Sequence, residues 1–310
     1  MKTFQIIDLD FDDLLEKKYD ISVFASGYES RCIHIPGLIN PSMISNPLIF
    51  GFTEERNAGN RNRNDSFYSD RWHCEPIPLS GDDEKPIYEQ LHFHTQKLDR
   101  PIHILLDYSS MSRLWYTAVL NWARFASSGK DVIIDFVYAM GKYEEKNNIM
   151  VIKDMVSLPG CEGRAFRLRE SVAVFGLGFY GLATLCVLDR LEADTVYAFL
   201  ASPGSSDEYV AKTREINKDL IENPKTRKVL EMPLFSVEAC YRNLAETIAP
   251  HRPDGEITLI PMGPKPHVLA SILVSMRFPE VACLRVSGAP AVDVESTGDL
   301  TVTRVVVRGD

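Results

Sequence analysis

Residues 101–123, PIHILLDYSSMSRLWYTAVLNWA, hold the pattern that decides the fold. An apolar run, residues 102–106, interrupted only by His103, stops at Asp107. A short polar turn follows, and from Leu114 apolar positions recur at helical spacing. Strand, polar turn and helix in that order are the unit from which helix-covered parallel sheets are built. Residues 255–276, GEITLIPMGPKPHVLASILVSM, repeat the unit with a stiffer turn.

Outward from the first copy, strands are predicted at residues 21–25 (ISVFA), 47–52 (PLIFGF), 75–79 and 132–140 (VIIDFVYAM), with a helix over 85–98. From Ser171 the order begins again: a strand VAVFG, a loop LGFYG, a helix LATLCVLDRL and a strand TVYAFLASP. The stretch at 74–98 then corresponds to that at 230–248. The expected fold is α/β: two Rossmann-like halves related by internal pseudo-duplication, with mostly parallel sheets covered by helices. Expected boundaries are 1–145 for the first half, 146–170 for a connector hairpin, 171–290 for the second half, and 291–310 for a carboxy-terminal β-hairpin turning at Thr297-Gly298-Asp299.

The chain has 310 residues, of which 45% are hydrophobic, enough for a sizeable core. A net charge of −9 argues against broad adhesion to nucleic acid or to an anionic membrane, since both need a basic surface. No apolar stretch reaches the roughly 20 residues of a membrane span. The acidic start, MKTFQIIDLDFDDLLEKK, lacks the pattern of a signal peptide, and a cytoplasmic location is expected. Cys32, Cys74, Cys161, Cys186, Cys240 and Cys283 stand singly and read as reduced thiols. The histidines form no metal-binding pattern, so neither a metal nor a cofactor is expected.

In open parallel sheets, ligands bind beyond the carboxyl ends of the strands, and four segments fall there. The first holds Ser26, Gly27, Glu29 and Arg31, where hydroxyls and a guanidinium suit an oxyanion; it also reads as a capped turn. The second holds Asp107, Ser109, Ser110 and Arg113, more polar groups than one helix cap needs. The third, Gly176-Leu177-Gly178-Phe179-Tyr180-Gly181, matches G-x-G-x-x-G between strand and helix, with Gly176, Gly178 and Tyr180 as candidates. Against ordinary NAD binding, the next strand ends in Ala201-Ser202-Pro203 with no acid to hold a ribose. The fourth offers Gly263 and Lys265; a plain rigid turn explains it equally well. Residues 54–71, from Glu54 through Arg56, Arg61 and Arg63 to Arg71, have almost no aliphatic side chains and are expected to be an exposed loop, either a lid over a polyanion or disordered.

At the two strand-turn-helix segments the sequence resembles the CRISPR-associated Rossmann-fold sensor domains and related antiviral nucleotide sensors. The resemblance implies a phosphorylated ligand such as a cyclic oligonucleotide, with Ser109, Ser110, Arg113, Gly263 and Lys265 at the matching positions. Pro264 and Pro266 depart from the family's small hydroxyl residues, and no effector domain is recognisable, which leaves a separate effector protein as partner. The leading reading is therefore a sensor or regulatory component that binds a nucleotide-like ligand. Two alternatives stand beside it: a nucleotide- or nucleoside-processing enzyme using Asp107 or Glu29 as acid or base, and a non-catalytic interaction subunit.

Overall fold

The computed structural model describes residues 4–54, 58–125, 129–142, 149–164, 170–288 and 292–309. The chain divides into two compact units, one of Met1–Lys142 with Ala291–Asp310, the other of Tyr143–Pro290. The first unit contains, in chain order, β1 (Phe4–Leu9), α1 (Asp12–Leu15), β2 (Tyr19–Ser26), α2 (His34–Leu38), β3 (Ile44–Phe52), α3 (Arg61–Trp72), β4 (Ile77–Leu79), α4 (Lys85–Thr95), β5 (Ile102–Asp107), α5 (Arg113–Phe125) and β6 (Val132–Gly141). The second contains β7 (Asp154–Glu162), β8 (Ser171–Gly176), α6 (Gly181–Leu191), β9 (Thr195–Ala201), α7 (Asp207–Ile216), α8 (Lys218–Ile221), β10 (Thr226–Met232), α9 (Val237–Ile248), β11 (Glu256–Pro261), α10 (Lys265–Arg277) and β12 (Val281–Ser287). The chain then returns to the first unit as β13 (Ser296–Val307).

The expected repeat is present in the topology. Unit 1 orders its strands β1-β13-β6-β5-β2-β3-β4, and unit 2 orders its own β10-β9-β8-β11-β12-β7. The five parallel strands of each unit, numbered along the chain, lie in the order 3-2-1-4-5, with an antiparallel strand beside the fifth, β13 in unit 1 and β7 in unit 2; in unit 1 β1 then pairs with β13. The central strands carry near-continuous apolar runs because helices cover both faces of such a sheet; every residue of β2 is buried. In α10, which packs on α9, β7, β11 and β12, every residue from Pro266 to Met276 is buried, so apolar residues occur around the whole circumference, with only His267, Ser271 and Ser275 polar among them.

The structure corrects several expectations. Residues 61–72 form a helix, α3, with Arg61, Asn64, Tyr68 and Trp72 buried, where an exposed loop was expected; Arg56 lies outside the described residues. The buried stripe mixes hydrogen-bonding Arg61 and Asn64 with the core aromatics Tyr68 and Trp72, so it carries no aliphatic periodicity. The acidic start is β1, paired antiparallel with β13. The carboxy-terminal β segment is one long strand held between β1 and β6, and Thr297-Gly298-Asp299 lie at a shift in its register. Of the connector, β7 is the edge strand of unit 2, antiparallel to β12.

Asp135, on β6 and fully buried, ties β2, β6, β13 and the turn after α1 together. Its carboxylate accepts from Lys17 Nζ at 2.8 Å, Tyr19 Oη at 2.9 Å, and Arg304 Nε and Nη2 at 2.7 and 3.0 Å. Burial alone would raise its pKa, but the bonds from Arg304 and Lys17 prevail and hold it below the ordinary carboxylate value. Asp135→Asn would leave two partly buried cations without a counter-charge and is expected to cost about 3 kcal/mol in urea denaturation at neutral pH. Because Asp135 binds its proton less readily folded than unfolded, its stabilisation is full above the ordinary 3.8 and disappears as pH falls through the lower folded value. The variant should therefore lose stability less steeply in that acid range; identical acid profiles would contradict the assignment.

Candidate functional site

A 3-2-1-4-5 sheet reverses direction between its first and fourth strands, and a crevice opens there at the strands' carboxyl ends. In unit 1 these strands are β2 and β5; in unit 2 they are β8 and β11. The four predicted segments thus fall into two pairs, one in each unit.

In unit 1 the loops after β2 and β5 meet through Glu29. Arg31 donates from Nε to Glu29 Oε2 at 2.5 Å, and Ser110 donates from Oγ to the same oxygen at 3.3 Å. Arg31 Nη1 donates to Ala139 O at 3.1 Å and Tyr138 Oη at 3.4 Å, with the guanidinium over the Tyr138 ring. Arg31 is 6% exposed and Glu29 9%, so the pair lies at the inner end of the crevice. Burial by itself would lower the Arg31 pKa, but Glu29 and Tyr138 outweigh it and hold the guanidinium more firmly charged than usual. The neighbouring Cys32 thiol is pushed up to about 12 by burial and then by the charge of Glu29, which keeps it protonated and unreactive.

Asp107 is engaged within its own turn. It is 3% exposed, and its Oδ1 accepts from Ser109 N at 2.9 Å and Ser109 Oγ at 2.5 Å. Ser109 Oγ in turn accepts from Ala139 N at 2.8 Å, so the pair fastens the turn after β5 to β6. Ser112 donates to Gly81 O and accepts from Leu114 N at the start of α5, where Arg113 stands half-buried. Ser26 is fully buried and donates to Asp65 at 2.5 Å. Gly27 lies under the Phe52 ring, 3.1 Å from where a Cβ would be.

The residues that hold the loop after β2 in place come from α3, which sequence reasoning missed. Asn64 donates from Nδ2 to Gly27 O at 2.9 Å and to Glu29 O at 2.8 Å. Tyr68 Oη reaches Ala25 O and Cys32 O, while Arg61 bonds Asp65 and Phe52 O. The available signal was the spacing of Arg61, Asn64 and Tyr68 along one helical face. Arg63 is exposed, and Arg71 donates to the carbonyls of Pro36, Gly37 and Ile39.

In unit 2 the matching loops close on each other. A Cβ on Gly263 would lie 2.6 Å from Leu177 O, and one on Gly176 2.7 Å from the Phe199 ring. One on Gly178 would strike the Met262 carbonyl oxygen, and one on Gly181 that of Ile216. Met262 N donates to Gly176 O at 2.8 Å, joining the loops directly. The glycines of the G-x-G-x-x-G stretch are thus accounted for by close approach of the protein's own atoms, the Phe199 ring at Gly176 and backbone carbonyls at Gly178 and Gly181. Tyr180 and Lys265 stand half-buried at the starts of α6 and α10. Asn217 repeats the role of Asn64, donating to Gly178 O at 2.7 Å from the crossover between the second and third parallel strands.

Comparison with protein-family models found no match, and comparison with curated proteins found none. Among the described residues, no group of three or more His, Cys, Asp or Glu side chains is placed to hold a metal ion, and no helix is long and apolar enough to cross a membrane.

Gly178→Ala is expected to destabilise the free protein by about 2 kcal/mol, the scale of overpacking against fixed backbone. A variant as stable as the parent would show that the space beside Gly178 is open after all. His267, in the first turn of α10, is fully buried, and burial lowers its pKa from 6.5 to about 4. Between those values the unfolded chain binds a proton that the folded chain refuses, so His267 makes stability fall as pH drops from 6.5 towards 4. His267→Gln should flatten that part of the urea-stability profile; an unchanged slope would contradict the burial of a neutral imidazole.

Proposed function

We propose that unit 1 binds a nucleotide-like, phosphorylated ligand in the crevice between the loops after β2 and β5, as the sensing part of a regulatory component. The observation that carries this reading is the buried Glu29–Arg31 pair, joined to Ser110 at the reversal point of the sheet. Among the described residues no acceptor takes the Nη2 hydrogens of Arg31, and no donor reaches Oε1 of Glu29. A guanidinium donor beside a carboxylate acceptor suits a ligand carrying phosphate together with hydroxyl or amino groups. Arg113, on the opposite loop, adds a positive charge near the mouth.

The resemblance to antiviral nucleotide sensors supports a cyclic oligonucleotide as one member of this ligand class and a separate protein as effector. Nothing favours the enzyme reading: Asp107 builds a turn and Glu29 is engaged by Arg31 and Ser110. The interaction-subunit reading has its support in unit 2. There the crevice loops are in backbone contact, and Leu182 and Phe235, following β8 and β10, are 75% and 44% exposed.

The test is the thermal midpoint of the intact protein against mononucleotides, dinucleotides and cyclic oligonucleotides. One class should stabilise it, by about 2.7 kcal/mol at about 100 times the dissociation constant. The shift should shrink in Arg31→Lys and Arg113→Ala and persist in Lys265→Ala. No shift from any class would overturn the proposal and leave the interaction reading for both units.

A further inference from the structure

The chain leaves unit 1 after Lys142 and re-enters it at Ala291, and the described residues beside these crossings lie on the lip of the crevice. Lys142 N donates to Glu295 O at 2.9 Å and Lys142 Nζ pairs with Glu295 Oε2 at 2.8 Å, while Gly141 is in register with Ser296. Gly141 has no side chain to hold Val294 away: a Cβ there would lie 2.5 Å from Val294 Cγ1 and 3.4 Å from Arg31 Nη1. The exit from unit 1, the re-entry and the Arg31 guanidinium therefore share one small region.

Asp293 is the next link. Its Oδ1 accepts from the backbone N–H of Ser30 at 2.7 Å and its Oδ2 from Asn60 Nδ2 at 3.0 Å. Ser30 lies between Glu29 and Arg31 in the chain, and its Oγ also donates to Val294 O at 3.2 Å. Asn60 immediately precedes α3 and is itself tied to Tyr28 O. An exposed carboxylate from a distant part of the sequence thus spans two N–H donors, one in the loop after β2 that lines the crevice and one at the start of α3, which holds that loop.

We propose that Asp293 is a built-in, displaceable occupant of the position taken by an anionic group of the ligand, and that displacing it releases residues 292–295. This rests on the reading of unit 1 as an anion-binding site and adds its regulation. The same two N–H donors that hold a carboxylate will hold a phosphate oxygen, and a ligand also reaching Arg31 would gain a contact that Asp293 lacks. Released, the 292–295 segment no longer fixes the re-entering chain to Ser30 and Asn60, so occupancy of the crevice is felt where the chain passes to and from unit 2.

The experiment uses the full chain and inorganic pyrophosphate as probe, with affinity read by calorimetry and backbone release by hydrogen exchange. Asp293→Asn removes the charge of an exposed side chain and should bind pyrophosphate about fivefold more tightly than the parent, or better. Asp299→Asn, which removes the same charge at the register shift of β13, should leave affinity within about twofold, separating occupancy from general repulsion. In the parent protein, saturating pyrophosphate should speed exchange of the Lys142 amide while the Ser30 amide stays protected. Equal affinity in parent and Asp293→Asn, binding by neither, or tightening by Asp299→Asn to the same degree would each overturn the proposal. Nucleotide binding that Asp293→Asn leaves unchanged would sink the displaceable occupant alone, whereas absence of all nucleotide binding would remove the reading beneath it.

Discussion

A loop that leaves a parallel strand carries carbonyl groups that have lost their sheet partners, and buried carbonyls need donors. In both units an asparagine from the crossover between the second and third parallel strands supplies them. Asn64 takes the carbonyls of Gly27 and Glu29; Asn217 takes that of Gly178. This clamp fixes the course of the first loop, and each crevice forms against the loop so fixed. In unit 1 it sets Glu29 where Arg31 and Ser110 can reach it; in unit 2 it sets Gly178 against Met262.

From that shared constraint the two units diverge. In unit 1 the space between the loops is framed by a charged pair with unused hydrogen-bonding capacity, enclosed by β6 and fastened through Ser109 to the backbone of Ala139. In unit 2 glycines let the two loops meet backbone to backbone, which removes the space instead of lining it. A repeated topology therefore does not imply a repeated site. Binding is proposed for unit 1 because there a guanidinium and a carboxylate, and not glycine backbone, line the space between the loops.

Much of the fold was legible because it rests on local patterns. The apolar runs of β2, β5, β6, β8 and β11 and the helical spacing of α5 each announce themselves within about a dozen residues. What escaped depends on partners far along the chain. The face of α3 is made of Arg61, Asn64 and Tyr68, whose burial makes sense only beside the loop after β2. β13 looked like a hairpin because Gly298 interrupts it, but its antiparallel partners are β1 and β6. At the site, Glu29, Arg31 and Ser110 were identified by position. The sequence could not separate them from Asp107 and Ser26, whose side chains are taken up inside the protein. The glycine motif marked a place where atoms crowd the backbone, but the sequence could not show that Met262 and Ile216 are what crowd Gly178 and Gly181.

The most direct measurement of the central claim is the side-chain Nε–Hε resonance of Arg31, followed by NMR with the amides of Ser110 and Gly178 as nucleotides are added. The account predicts that Arg31 Nε and Ser110 move together and saturate with one ligand class while Gly178 stays in place. Movement gathered at Gly176, Gly178 and Lys265 with Arg31 unmoved would contradict it, placing the ligand in the unit read here as closed.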